Sequence, residues 1–228
     1  RHIRMGLTAE RRMDVPGDIT TGEMIDTDND GGWSSYYLAS QALRHAVTGS
    51  DEARRHAWET LGALERLETI NGLDGFPSRS FERARRHYVS DPERWHPSPD
   101  PHWDWKAHTS SDEIASHTLA YALMWDHVTK NDSEKERIRR LVDRIASHIL
   151  RNNLRLIDVD GKPTLWGRWD PEYLNAMPHS VFDRRLNSSE VVALFQLAHK
   201  LTGRTEYRQT IHELFTRHGY LTNIVSSM

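Results

Sequence analysis

The chain has 228 residues and a formal net charge of −3, with 30 Lys and Arg residues against 33 Asp and Glu residues. This charge gives no overall attraction to nucleic acid or anionic lipid, and no window approaches the roughly 20 apolar residues that span a bilayer, so neither a nucleic-acid partner nor a membrane partner is expected. The absence of cysteine excludes disulfides, thiolate catalysis and zinc sites built on Cys.

Acidic residues at alternate positions mark the first distinctive segment, DTDNDGGW at 26–33. Asp26, Asp28 and Asp30 match the start of a calcium loop, in which alternate carboxylates converge on one hard cation. The twelfth position, where such a loop carries a bidentate Glu, is Tyr37. Three interpretations stay open: a calcium site, a turn in which Asp30 caps the following helix, and an acidic site that faces a substrate.

Helical periodicity with few breakers predicts six helices. Short links of about five residues join them in pairs, and each link combines a Gly or Asn stop with a Ser, Asp or Thr cap for the next helix. The sequence therefore predicts three αα-hairpins. The predicted helices cover 33–48, 51–71, 111–130, 133–152, 188–202 and 205–218.

Long connections, 73–110 and 154–187, separate the predicted hairpins. Such lengths are uncommon in compact domains unless the connection carries function or is disordered, and six of the eight tryptophans lie in or beside the irregular stretches, which argues against disorder. The second connection contains an Asp160-Gly161 turn between two strand-like runs, which predicts a small β-hairpin. If each hairpin goes up and returns, the long connections share one end of the helical layer.

Two helix starts have a capping-box pattern that accounts for their glutamates: Ser110 with Glu113, and more loosely Asn187 with Glu190. Asp112 is not needed for that box, so it stays a candidate for a functional acid. In the turn GFPSRS, Arg79 could bind a carboxylate or sulfate through its planar fork.

Four stretches resemble the α/α-toroid scaffold of glycoside hydrolases and polysaccharide lyases: DTDNDGGWSSYYLASQ, GFPSRS, TSSDEIASHTLAY and DVDGKPTLWGRWDPEYLN. The resemblance implies an all-α fold in which three αα-hairpins form an incomplete toroid or part of one, with the small β-hairpin in one long loop. It also implies a substrate cleft at the loop end, aromatic platforms for sugars and acids for acid/base chemistry.

The expected partner is thus an oligosaccharide or polysaccharide, with glycoside hydrolysis favoured over elimination. The candidate catalytic residues are Asp28, Asp30 and Asp112. Calcium held by Asp26, Asp28 and Asp30 is the alternative cofactor. The candidate substrate-binding residues are Trp33, Arg79, Trp103, Trp105, His108, Trp166, Arg168 and Trp169.

Other functions stay open. A lyase would need a neutralising Arg and a base, for which Arg79, His108 and Tyr173 are the candidates. A non-catalytic helical module that binds a glycan or a partner is the alternative from a different class. Residues 1–228 are expected to form one helical domain of a longer polypeptide, because the chain begins at Arg1 and has no apolar signal segment. Lack of cysteine leaves the compartment open, with the periplasm or exterior slightly favoured.

Overall fold

The structure is a computed structural model that describes residues 2–86 and 90–226. All six predicted helices are confirmed, although α1 and α5 begin three and four residues earlier than predicted. Within the described residues, no helix is both long enough and apolar enough to cross a membrane. The helices are α1 (Asp30–Thr48), α2 (Asp51–Thr69), α3 (Ser111–His127), α4 (Asp132–Arg151), α5 (Arg184–Thr202), α6 (Thr205–Arg217) and α7 (Tyr220–Val225).

The short links use the predicted chemistry only in part, because Asn131, predicted as a stop, is the N-cap of α4, and the N-cap of α6 is Arg204, which makes no side-chain cap bond. Gly49 and Gly203 end α1 and α5 in the left-handed conformation, at φ 67° and 73°, which glycine adopts without a Cβ penalty. The Ser50 side chain accepts a hydrogen bond from the Ala53 amide at the start of α2, and Asn131 caps α4. These caps satisfy amides that have no partner within the helix.

The expectation of an all-α fold is wrong. Helices make up 56% and strands 14% of the described residues, the strands lie in four small sheets, and these residues show no toroid. The connections taken for loops contain short antiparallel strands because their bulky residues can pair across a pleated surface. The strands are β1 (Ile3–Arg4), β2 (Leu7–Thr8), β3 (Glu10–Arg12), β4 (Glu23–Ile25), β5 (Ser80–Arg83), β6 (Trp95–Pro97), β7 (Trp103–Lys106), β8 (Arg155–Ile157) and β9 (Pro163–Arg168).

The β-sheets are all antiparallel. β1 pairs with β2, β3 with β4, and β7 lies between β5 and β6 in a three-stranded sheet. β8 pairs with β9, in the register Arg155 to Arg168 and Ile157 to Pro163. This last pair is the β-hairpin that the Asp160-Gly161 turn predicted.

Helices α1, α3 and α5 form the central row. α1 packs against α2 and α3, while α5 packs against α3, α4, α6 and α7. The buried faces of these helices form one hydrophobic cluster, to which Phe81 and Trp105 of the three-stranded sheet also belong. The row places the amino ends of α1, α3 and α5 around the same pocket.

Candidate functional site

A polar pocket of about 310 Å³ lies where the amino ends of α1, α3 and α5 meet. Each of the three irregular regions contributes to it: the segment before α1, the connection from α2 to α3, and the connection from α4 to α5. The predicted meeting of the long connections at one end is therefore confirmed. The lining residues are Asp28, Asn29, Arg79, Ser110, Ser111, Asp112, Trp166, Asp183, Leu186 and Asn187.

Asp28 projects into the pocket with a half-exposed side chain. Its Oδ1 lies 2.8 Å from Nη1 of Arg94 and 3.6 Å from Nζ of Lys106, and its Oδ2 lies 3.4 Å from Nη1 of Arg79. Three cations thus surround this one carboxylate and balance its charge.

Asp112 differs from Asp28 because it has no partner in the described part of the chain. Its side chain is exposed on the first turn of α3, and it forms neither a hydrogen bond nor an ion pair with any residue that the structure describes. Asp183 supplies a third carboxylate, which accepts a hydrogen bond from the Tyr173 hydroxyl at 3.0 Å. Asp112 is consequently the pocket carboxylate with the greatest freedom to engage a ligand.

Trp166 provides the aromatic surface of the pocket. The guanidinium carbons of Arg79 and Arg94 lie 5.5 and 5.4 Å from the centre of its ring, within the range of cation–π contacts. The side chain remains 39% exposed. The pocket therefore combines a fixed, partly exposed indole with carboxylates.

Arg79 ties the connections of the pocket together. Its Nε donates to the His108 carbonyl at 2.6 Å, and its Nη1 donates to the Asp28 carbonyl at 2.7 Å and to the Asn29 side chain at 2.5 Å. Only 2% of the residue is exposed, and Nη2 forms no hydrogen bond within the described part of the chain. Arg79 is thus mainly a structural residue of the pocket wall.

Asp30 is not a pocket residue, which corrects its assignment as a catalytic candidate. Its Oδ2 accepts from Arg4 at 2.7 Å and from the Ser80 hydroxyl, and its Oδ1 accepts from the amide and hydroxyl of Thr27. The side chain is fully buried. Asp30 is therefore a saturated structural carboxylate at the first residue of α1.

The calcium interpretation also fails, because the three carboxylates diverge. Asp26 is buried and accepts from Ser90, Asp28 meets Arg94, and Asp30 meets Arg4. No group of three or more His, Asp or Glu side chains among the described residues could hold a metal ion. Protein cations offset the repulsion between these acids, because Arg4 pairs with Asp30, Arg94 pairs with Asp28, and Lys106 lies 3.6 Å from both Asp26 and Asp28.

The predicted capping box at α3 is wrong. Ser110 makes no side-chain cap bond, and both carboxyl oxygens of Glu113 are buried without a hydrogen-bond partner among the described residues. The nearest cation is Nη1 of Arg79, at 3.9 Å. Burial raises the pKa of Glu113 well above its usual range, against the opposing effect of Arg79.

Glu113 begins a row of buried polar residues on one face of α3. His117 follows one turn later, and its Nδ1 lies 3.3 Å from the Tyr121 hydroxyl, which donates to Glu68 at 2.8 Å. Burial lowers the pKa of His117 to about 3 and raises that of Glu68 to about 8. Gly31 makes room for this row, since a Cβ there would lie 2.3 Å from Oε1 of Glu113.

Glu190 does not belong to a capping box either, because α5 begins before Asn187. Its carboxylate accepts a hydrogen bond from Nε1 of Trp169 at 3.2 Å. Burial raises the pKa of Glu190 to about 7, against this hydrogen bond. Its side chain lies one turn beyond the pocket residue Asn187 on α5.

Several predicted substrate-binding residues are structural instead. Trp105 and Trp169 are buried. Trp103 packs edge-on against Phe81, under the guanidinium of Arg66. Arg168 lies near Asp170, with Nε 3.5 Å from Oδ2, and over the ring of Tyr173. Trp105 and Trp169 lie in the interior because burying an indole removes a large apolar area from water.

Trp33 and His108 are accessible but do not line the pocket. Trp33 is 58% exposed and contacts Tyr36, with ring centres 6.1 Å apart. His108 supports the pocket wall through its backbone. Its carbonyl accepts a hydrogen bond from Nε of Arg79, and its amide donates to Oδ2 of Asp158.

Sequence reasoning missed Arg94, Asp183 and Lys106. Asp183 directly precedes α5, and a correct helix boundary would have placed it beside the other helix starts. Arg94 and Lys106 belong to a connection whose folding into strands has no clear periodic signal.

The chain was also compared with known proteins. No protein-family model matches it, and neither the comparison with curated proteins nor the comparison with solved structures finds a match.

Proposed function

We propose that the pocket binds a sugar and hydrolyses its glycosidic bond. The observation that carries this proposal is the presence of the Asp28 and Asp112 carboxylates in one pocket with the partly exposed ring of Trp166. Glycoside hydrolysis needs two carboxyl groups on either side of the bond that breaks. A flat indole suits the apolar face of a sugar ring, and the surrounding polar groups suit its hydroxyls.

The two carboxylates suit different roles. Asp28 is held among three cations, and this fixed position suits a nucleophile or base. Asp112 has no partner among the described residues, so it suits the acid that must reach the oxygen of the scissile bond. A separation of about 5 Å between the carboxyls would give retention of configuration, and about 6.5 to 9.5 Å would give inversion. Proton NMR of the first product identifies the outcome.

Elimination has less support. Of the three residues that a lyase was expected to use, only Arg79 lines the pocket, and most of its donors already bind backbone and side-chain oxygens. A binding module without catalysis is the second candidate. The observation in its favour is the hydrogen bond between Asp28 and Arg94, because a carboxylate held in this way is less free to react.

The test is hydrolysis of a panel of oligosaccharides and chromogenic glycosides by the protein and by two variants. Asp112→Asn should lower kcat by about 10² to 10⁴-fold, the usual contribution of a positioned acid or base. Asp126→Asn is the matched control. Asp126 lies on the last turn of the same helix, is exposed and pairs with Lys200, so its loss should leave turnover unchanged.

Each result has one meaning. Turnover that survives Asp112→Asn in a folded protein would overturn the catalytic assignment. Binding on a glycan array without any product release, unaffected by Asp112→Asn and Asp28→Asn, would favour the binding module. The absence of both binding and turnover across the panel would overturn the proposal altogether.

A further inference from the structure

An apolar groove of about 400 Å³ runs between α3 and α5. Two of its lining residues carry hydroxyls, but both hydroxyl protons are already donated to backbone carbonyls, so neither is a free donor for a ligand. The Thr118 hydroxyl donates to the Ile114 carbonyl at 2.8 Å, and the Ser189 hydroxyl donates to the Arg185 carbonyl at 2.9 Å. The groove is lined by Ala115, Thr118, Leu119, Ala122, Ser189, Glu190, Ala193 and Leu197.

The groove continues the polar pocket. On α3, the pocket residue Ser111 is followed at helical spacing by Ala115, Leu119 and Ala122 on the same face. On α5, the pocket residues 186 and 187 are followed in the same way by 190, 193 and 197. At a rise of about 1.5 Å per residue, the seam from 111 to 122 is roughly 16 Å long. The polar pocket and the apolar groove therefore lie end to end.

The junction of the two cavities carries one further carboxyl group. Glu190 lines the groove at the end nearest the pocket, where Trp169 donates to it. Beyond this point the groove presents methyl groups and aliphatic side chains, including the exposed Leu119. A ligand that spans both cavities must be polar at one end and apolar at the other.

We propose that the substrate is a glycoside with an apolar aglycone, whose sugar occupies the pocket and whose aglycone lies in the groove between α3 and α5. This inference rests on the proposed function. A groove of about 400 Å³ is the size of a small-molecule site, whereas a protein partner would need about 800 Å² on each side. Its continuity with the pocket identifies the apolar end of the same ligand as the occupant.

The arrangement places the glycosidic oxygen at the junction, between Asp112 of α3 and Glu190 of α5. Hydrolysis breaks the bond between the anomeric carbon and this oxygen. In the inverting case, a proton passes from Asp112 to this oxygen, the oxygen of water bonds to the anomeric carbon, and Asp28 takes up a proton from that water. The products are the free sugar and an alcohol, which stays in contact with the groove.

The test compares octyl and methyl thioglycosides of the same sugars by calorimetry, below the concentration at which the octyl compounds form micelles. Thioglycosides resist hydrolysis, so the unmodified protein can be used. Burial of the octyl chain should tighten binding at least tenfold. Ala193→Phe fills the groove and should abolish this preference. Gln196→Phe, at an exposed position of α5 outside the groove, should preserve it.

The outcomes separate this inference from the proposed function. Equal affinity for methyl and octyl compounds would overturn the inference and leave the sugar pocket intact. An octyl preference that survives Ala193→Phe would place the chain elsewhere and would also overturn it. Octanol that binds as tightly as the octyl glycoside would also overturn the inference. A change in the molecular mass of the protein in solution with Ala193→Phe would overturn it as well, because the groove would then belong to the contact with a second copy of the chain. No binding of either compound would contradict the proposed function as well.

Discussion

Replacing the ionisable carboxyl of Glu68 should change how the stability of the protein depends on pH. Glu68 is fully buried, accepts a hydrogen bond from Tyr121 at 2.8 Å, and has its second oxygen without a partner among the described residues. Burial raises its pKa from 4.5 to about 8. The folded protein thus keeps this carboxyl protonated at neutral pH, while the unfolded chain releases the proton.

The sign and size of this pH effect on the free energy of unfolding follow from the difference between the pKa values of Glu68 in the folded and unfolded states. A pKa that is higher in the folded state stabilises the fold fully below about pH 4.5, and this stabilisation is lost as the pH rises to about 8. Each pH unit in this window is worth about 1.4 kcal/mol, so the full loss is about 5 kcal/mol. That is as large as the whole stability of a marginal protein.

The assay is urea unfolding of the protein and of Glu68→Gln between pH 5 and pH 9. Gln keeps the shape and an acceptor for Tyr121 but cannot ionise. We expect the two proteins to differ by about 1 kcal/mol or less at pH 5, and the variant to be the more stable by several kcal/mol at pH 9. Glu65→Gln, a partly exposed acid of α2 that pairs with Arg137, is the control. A difference between Glu68→Gln and the unmodified protein that does not change with pH would refute the reasoning.

Two further predictions concern packing and buried charge, and both are measured by urea unfolding at pH 7. Gly31→Ala should destabilise the fold by about 1 to 3 kcal/mol, because its Cβ would lie 2.3 Å from Oε1 of Glu113; Gly62→Ala, with its nearest neighbour atom at 3.7 Å, should stabilise α2 by up to about 1 kcal/mol. If Gly31→Ala and Gly62→Ala change the free energy of unfolding equally, the close contact with Glu113 does not account for the cost at position 31. Arg4→Met leaves the buried carboxylate of Asp30 without its cation and leaves Glu82 with Arg86 alone, so it should cost about 3 to 5 kcal/mol. Arg55→Met removes an exposed pair and should cost less than about 1 kcal/mol. Similar losses for the two arginines would contradict this account.

The helices could be predicted from the sequence because their signals are local. Apolar periodicity, the Gly49 and Gly203 stops and the Ser50 cap act within a few residues, and each agrees with the packing. Apart from the β8–β9 hairpin, which the local Asp160-Gly161 turn predicted, the small sheets could not be predicted in this way. β7 pairs with β5, about twenty residues away along the chain, and strands of two to four residues are too short to give a clear alternating pattern.

Part of the site was predictable for a similar reason. The helix pairing indicated that Asp28, Arg79, Asp112 and Trp166 would meet, and they line one pocket. What each side chain does depends on partners that are distant in sequence. Arg4, for example, is 26 residues from Asp30, and its ion pair turns a suspected catalytic acid into a structural one. No local pattern in the sequence could show that Asp30 is structural whereas Asp28 lines the pocket.

The central claim is that a sugar occupies the pocket at the amino ends of α1, α3 and α5. A crystal structure of Asp112→Asn soaked with a glycoside from the binding panel tests this claim most directly. We predict a sugar ring against the indole of Trp166, with its hydroxyls within hydrogen-bond distance of Asp28 and of the amide at position 112. A sugar bound elsewhere, for example on the exposed ring of Trp33, with the pocket free of ligand, would contradict the account.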